Sequence, residues 1–347
     1  MLTRPRTAFL FAALLLALPA AAQPIQKVLL PNPPSYPLEM AADKAGNLWI
    51  ALNWNESVLR VAPSGQMTEF KTPTPWSYPF GVAVGADGSV WVSENVENRI
   101  ARLRPGTRKL EEVVLPTPDT KPTVLAAAPD GSVWYCGFGA NLIGRVADDM
   151  TVTEYPLPTP DSKPRGLVVA PDGSVWYCSG KTDRIGRIVP GEEITEFQLP
   201  ADAGPYRMTM GPDGAIWFTE MWANKIGRIT LDGKLTEYPL PTPAASPRGI
   251  CAGPDGALWF TEAFSMKLGR ITVDGAISEL PIPVLPDEIA SPGLFIPPHP
   301  SGWPHGVAVG ADGNVYFTDS GVSKLGRLVI QRPAETPVDE VEPLKRD

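Results

Sequence analysis

One phrase recurs seven times along this chain and leaves few folds open to it. It is a turn centred on Asp-Gly, an aromatic residue four positions after the Asp, and then a basic Gly-Arg strand. Asp87-Gly88 is followed by Trp91, Asp130-Gly131 by Trp134, Asp172-Gly173 by Trp176, Asp213-Gly214 by Trp217 and Asp255-Gly256 by Trp259. Asp312-Gly313 carries Tyr316 in the aromatic position, and a degenerate first copy has Ala45-Gly46 with Trp49. Successive Asp residues lie 43, 42, 41, 42 and 57 positions apart. A period of about 40 made of short apolar runs and turn pairs predicts one four-stranded blade per repeat. The expected fold is all-β, a seven-bladed β-propeller.

In the repeat that runs from Pro247 to Pro281, residues 249–253, 257–262, 268–272 and 276–280 read as four strands. Asp-Gly supplies the positive φ that tight hairpins require. The tryptophans and the Gly-Arg pairs ending at Arg145, Arg187, Arg228, Arg270 and Arg327 recur from blade to blade, so both sets read as framework. Residues 25–30, followed by Pro31, match the fourth strand of the other repeats, and the last repeat reaches Arg332-Pro333 without its second Asp-Gly turn. The N-terminal strand is therefore expected to complete the last blade and remove an open sheet edge.

Arg4 and Arg6 precede an apolar run over residues 8–18 that ends in Ala20-Ala21-Ala22. This pattern predicts a signal peptide over 1–22, cleaved before Gln23, with a run too short to span a membrane. The propeller is expected over 23–331 and a disordered, acidic, proline-containing tail over 332–347, in a periplasmic or secreted monomer. Loss of the leader removes two arginines and no acid, moving the net charge from −8 to −10. An acidic chain without a basic block excludes nucleic acid as a partner. Cys136 and Cys178 share one position of adjacent repeats, where Thr219 and Thr261 stand in others, and read as small buried residues rather than a disulfide. No CxxC or CxxCH is present, and neither haem nor a nucleotide cofactor is expected.

The positions seven before and seven after each turn Asp should face each other at one mouth of the ring. They pair Leu38 with Leu52, Phe80 with Glu94, Thr123 with Gly137, Arg165 with Ser179, Tyr206 with Glu220, Arg248 with Glu262 and His305 with Asp319. A framework position would repeat from blade to blade; this one does not. His305 beside Asp319 reads as an oriented imidazole serving as general base or metal ligand, with Arg248 stabilising charge. Arg165, Tyr206, Phe80 and Trp303 are candidate substrate contacts, and Glu262, Glu220 and Asp319 candidate metal ligands. The 57-residue spacing inserts a proline-rich segment from Pro283 to Trp303, with Phe295 and His299, which reads as a lid or specificity loop beside the mouth. The expected ligand is a small molecule or cyclic peptide.

The run Gly211-Pro-Asp-Gly-Ala-Ile-Trp-Phe-Thr-Glu220, with Asn224-Lys-Ile-Gly-Arg-Ile229 and Leu235-Thr-Glu-Tyr-Pro-Leu-Pro-Thr-Pro243, resembles the virginiamycin B lyase (streptogramin lyase) family over all seven repeats. The resemblance implies linearisation of cyclic depsipeptides by elimination across a threonine ester, assisted by Mg²⁺. It also implies a base for the α-proton and a cation or donor for the enolate-like charge. His305 matches the second of the family's two histidines, and Asp319 its terminal glutamate with a shorter side chain. Arg248 stands in place of the other histidine, and Trp303 in place of a glutamate. Two further readings of the same mouth are a lactonase using a metal-bound water, with Ca²⁺, and a non-catalytic binding propeller.

Overall fold

The computed structural model describes residues 25–285 and 303–330. The leader, the insertion with Phe295 and His299, and the acidic tail lie outside the described residues. Seven four-stranded antiparallel sheets form the blades, with strands paired in chain order. Blades 1 to 6 cover residues 37–71, 79–114, 122–156, 164–198, 205–239 and 247–281. Blade 7 joins residues 304–328 to the N-terminal strand Ile25–Leu29, which runs antiparallel to Lys324–Leu328 with Ile25 opposite Leu328. The two ends of the described chain thus share one sheet, as expected from residues 25–30, and the ring closes without a free edge there.

Each signature phrase lies at the turn end of its blade. Gly256 takes φ +72° and Gly88 φ +85° in their turns, a region open to glycine at little cost. In blades 5 and 6 the turn Asp then receives the other two signature residues. Trp217 Nε1 donates to Asp213 Oδ1 at 3.0 Å and Arg228 Nε to Oδ2 at 2.7 Å. Trp259, Arg270 and Asp255 repeat the arrangement at 3.2 and 2.7 Å. The indoles also fill the blade interfaces: Trp176 packs with Met208 and Phe218 of the next blade, and Trp217 with Ile250 and Phe260. Truncating such a ring to alanine costs about 3–5 kcal/mol, so these residues hold the ring together.

At the opposite end of the first hairpin the ladder breaks, and this break positions the site. Pro247 pairs with Glu262 and Ile250 with Phe260, so Arg248 and Gly249 together face the single residue Thr261. The same irregularity lies at Pro79/Val82, Pro205/Met208 and Pro304/Val307. It is a β-bulge, which bends the strand and re-aims a side chain. Two local features support it. A Cβ on Gly249 would lie 2.4 Å from the His305 carbonyl oxygen, so the first strands of blades 6 and 7 approach too closely for any other residue. Thr261 Oγ1 accepts from Gly249 N at 2.9 Å and donates to the His305 carbonyl at 2.8 Å, stitching the bulge to the next blade. Thr219 and Thr318 make the corresponding bridges to Arg248 O and Leu38 O, both at 2.7 Å. Cys136 occupies this same position with its thiol 3.6 Å from Gly166 O, and the three cysteines are free, as read from their spacing.

Candidate functional site

Side chains from six blades meet in the channel at one mouth. Tyr206 Oη lies 3.1 Å from His305 Nε2, and His305 Nδ1 lies 3.3 Å from Glu39 Oε1. The same Glu39 oxygen accepts Arg207 Nε at 2.9 Å and Nη2 at 2.7 Å, while Arg207 Nη1 donates to the Arg165 and Tyr206 carbonyls. Glu39 belongs to blade 1 and Arg207 to blade 5, so their ion pair crosses the channel and floors the mouth. His305 is buried beside Glu39, with the Phe80 and Tyr206 rings edge-on at 6.2 and 6.1 Å.

Burial and charge set the protonation of this chain. Burial alone would push Glu39 up, but the Arg207 guanidinium and His305 outweigh it and bring the carboxyl down to about 2. Burial drives His305 down to about 4, against the pull of Glu39 and with the push of Arg207 and Arg248. His305 is therefore neutral at pH 7. With its proton on Nδ1 toward the Glu39 carboxylate, Nε2 presents a lone pair to the Tyr206 hydroxyl.

Two arginines stand at this mouth without a carboxylate partner among the described residues. The Arg248 guanidinium lies 4.5 Å from the Trp303 ring and 5.7 Å from that of Tyr206, with Nε buried and unbonded. Arg165 lies 4.6 Å from Phe138 and 5.5 Å from Tyr206. Arg165 separates two hollows of about 180 and 270 Å³, the first walled by Phe80, Thr123 and Phe138, the second by Tyr206, Met221 and Trp222. The Trp303 backbone N–H donates to Asp319 Oδ1 at 2.6 Å, anchoring the end of the insertion beside Arg248.

Five expected residues thus converge here: Phe80, Arg165, Tyr206, Arg248 and His305, with Trp303 at the edge. The carboxylates expected opposite them do not. The bulge shifts the register by one, so Glu94, Glu220, Glu262 and Asp319 pair with Pro79, Pro205, Pro247 and Pro304. Each is fully buried within its own blade. Asp319 is salt-bridged to Lys27 at 2.9 Å and does not orient His305; Glu39 does. Glu220 sits against Glu237 and Lys225, and Glu262 against Ser265, Glu279 and Lys267. Burial, with the neighbouring glutamate, raises Glu220 to about 8; burial raises Glu262 to about 7 despite the Ser265 hydrogen bond. Glu262, Glu220 and Asp319 are therefore three separate carboxyls and not one ligand set.

Mg²⁺ and Ca²⁺ require several oxygens converging on one point. Among the described residues no group of three or more His, Cys, Asp or Glu side chains is placed to hold a metal ion. Glu39, which does contact His305, spends the oxygen nearest the imidazole on Arg207. The described donor set does not fit either ion.

Glu39 and Arg207 escaped the symmetry argument because they lie one position beyond the facing pairs. The residue after the mouth position is Gly81, Gly166, Gly249 and Gly306 in four blades and Val124 in another. Glu39 and Arg207 are the charged exceptions, of opposite sign, and that contrast was available in the sequence.

A family profile for virginiamycin B lyases matches residues 20–176 and 75–293. The chain belongs to the virginiamycin B lyase family. Among solved structures it is similar to a streptogramin B lyase, at 32% identity and TM-score 0.81 over 89% of this chain and 98% of that one. Virginiamycin B lyase of Staphylococcus aureus gives 33% identity and TM-score 0.81 over 89% and 100%. A catalytically inactive histidine-to-alanine form of the S. aureus enzyme, with quinupristin, gives 32% and 0.80 over the same shares. No curated protein sequence matches the chain. Among the described residues no helix is long and apolar enough to cross a membrane.

Proposed function

We propose that this protein is a carbon–oxygen lyase acting on a cyclic ester or depsipeptide at the Tyr206–His305–Glu39 mouth. The observation that carries the reading is a neutral imidazole with Nε2 hydrogen-bonded to the Tyr206 hydroxyl and Nδ1 3.3 Å from the ionised Glu39 carboxylate. The α-proton of the ester-bearing residue passes to the Tyr206 oxygen as the Tyr206 proton passes to His305 Nε2. The electron pair left on the α-carbon forms the new C=C bond, and the β C–O bond breaks with loss of a carboxylate. Glu39 stabilises the imidazolium so formed, and Arg207 keeps Glu39 ionised. Arg248, without a carboxylate partner among the described residues and lying over the Trp303 ring, faces the negative charge that develops on the enolate-like and leaving oxygens. Residues 1–22 support action outside the cytoplasm, in the periplasm or medium.

Steady-state turnover of a type B streptogramin tests the relay. His305→Ala and Tyr206→Phe are each expected to lower kcat by at least about 100-fold, the usual scale of a positioned acid or base. Full activity in Tyr206→Phe would remove the relay, and full activity in His305→Ala would remove the whole proposal. A second reading, a binding propeller without turnover, is favoured by the donor set that does not fit a metal; it expects no product from the wild type.

A further inference from the structure

The chain is acidic overall, with 38 Asp and Glu against 30 Lys and Arg, yet this mouth is cationic. The two hollows flanking Arg165 are lined by Lys121, Lys163, Arg165, Lys181 and Arg207 and, among the described residues, by no carboxylate. Lys163 and Lys181 are satisfied by Asp161, and Arg207 by Glu39. Lys121 and Arg165 have no ion pair among the described residues. The Arg165 guanidinium lies over the Phe138 ring at 4.6 Å and over that of Tyr206 at 5.5 Å, at the wall shared by the two hollows. A guanidinium fork beside aromatic rings suits a planar oxyanion taken in two parallel hydrogen bonds. Beside it, the larger hollow offers the apolar surface of Met221 and Trp222, the latter 55% exposed.

We infer that this mouth recognises ligands that carry a carboxylate on an apolar or aromatic body. The carboxylate binds Arg165, with Lys121 on the far side of the smaller hollow, and the body lies in the larger hollow on Trp222. The inference takes the mouth as the substrate site proposed above and adds a permanent negative charge to the substrate. An uncharged cyclic ester leaves this group of donors unused.

Calorimetric titration of the purified protein with N-acetyl-L-phenylalanine and with its primary amide tests this without any turnover, so it fails separately from the lyase reading. The carboxylate is expected to bind at least tenfold more tightly than the amide, with the advantage shrinking between about 0.05 and 0.5 M salt. Arg165→Gln should erase the advantage, so that acid and amide bind alike, and keep the wild-type Tm. The exposed Lys121→Gln should reduce it, while Lys44→Gln at the opposite mouth should not. Equal binding of the two probes, no binding of either, or a preference that survives Arg165→Gln would overturn the inference.

Discussion

Replacing Glu39 by glutamine keeps the shape of the channel floor and deletes one charge, and the consequences follow from the contacts of that carboxylate. In the folded protein Arg207 and His305 overcome the effect of burial and bring Glu39 from 4.5 to about 2. At 1.36 kcal/mol per unit, this is about 3 kcal/mol of preference for the ionised form. The side chain is only 15% exposed, so solvent screening takes little from it. Removing one member of a buried pair also strands the other, at about 3–5 kcal/mol. Glu39→Gln is therefore expected to lose about 3 kcal/mol at pH 7, lowering Tm by roughly 5 °C. The pH dependence carries the sign. Because the folded carboxyl is depressed, its contribution is complete above pH 4.5 and disappears as pH falls toward 2. Urea melts of wild type and variant between pH 7 and 3 should converge on the acid side. Adding Arg207→Met should restore much of the loss, because the stranded guanidinium is then gone. A loss below about 1 kcal/mol at pH 7, or one that stays constant from pH 7 to 3, would refute the ion pair as the floor of the site.

Three further outcomes follow from the same geometry. Burial, with Glu112 beside it, raises Glu94 from 4.5 to about 9. The folded state therefore keeps a proton that the unfolded chain releases above pH 4.5, and stability falls as pH rises toward 9, by at most about 1.4 kcal/mol per unit. Tm measured from pH 5 to 9 should decline in wild type and decline less in Glu94→Gln. Thr261→Val breaks the bridge from Gly249 to the His305 carbonyl in the blade interface, and urea melts should show a loss of about 2 kcal/mol. Since His305 titrates at about 4, kcat/KM should hold from pH 8 down to about 5 and fall as protonation removes the lone pair below that.

The blades were legible because Asp, Trp and Arg recur at one spacing, and in blades 5 and 6 they tie to one another, as in Asp213, Trp217 and Arg228. The convergence of Phe80, Arg165, Tyr206, Arg248 and His305 was legible for the same reason, since symmetry carries any one repeat position to one height in the ring. The carboxylate partner was not. A bulge changes register without changing the repeat length, so counting residues from the turn placed Asp319 opposite His305 when the ladder places Pro304 there. Glu39 meets Arg207 across the axis from a blade 168 residues away, a contact that no spacing within a repeat encodes.

The most direct test of the central claim is the mass of the product formed when the purified protein is incubated with a type B streptogramin. Elimination opens the ring and conserves mass, so the account expects a linear product of unchanged mass, absent with His305→Ala. A product heavier by one water would contradict elimination and assign a hydrolase, and an untouched ring would contradict lyase action on this substrate class.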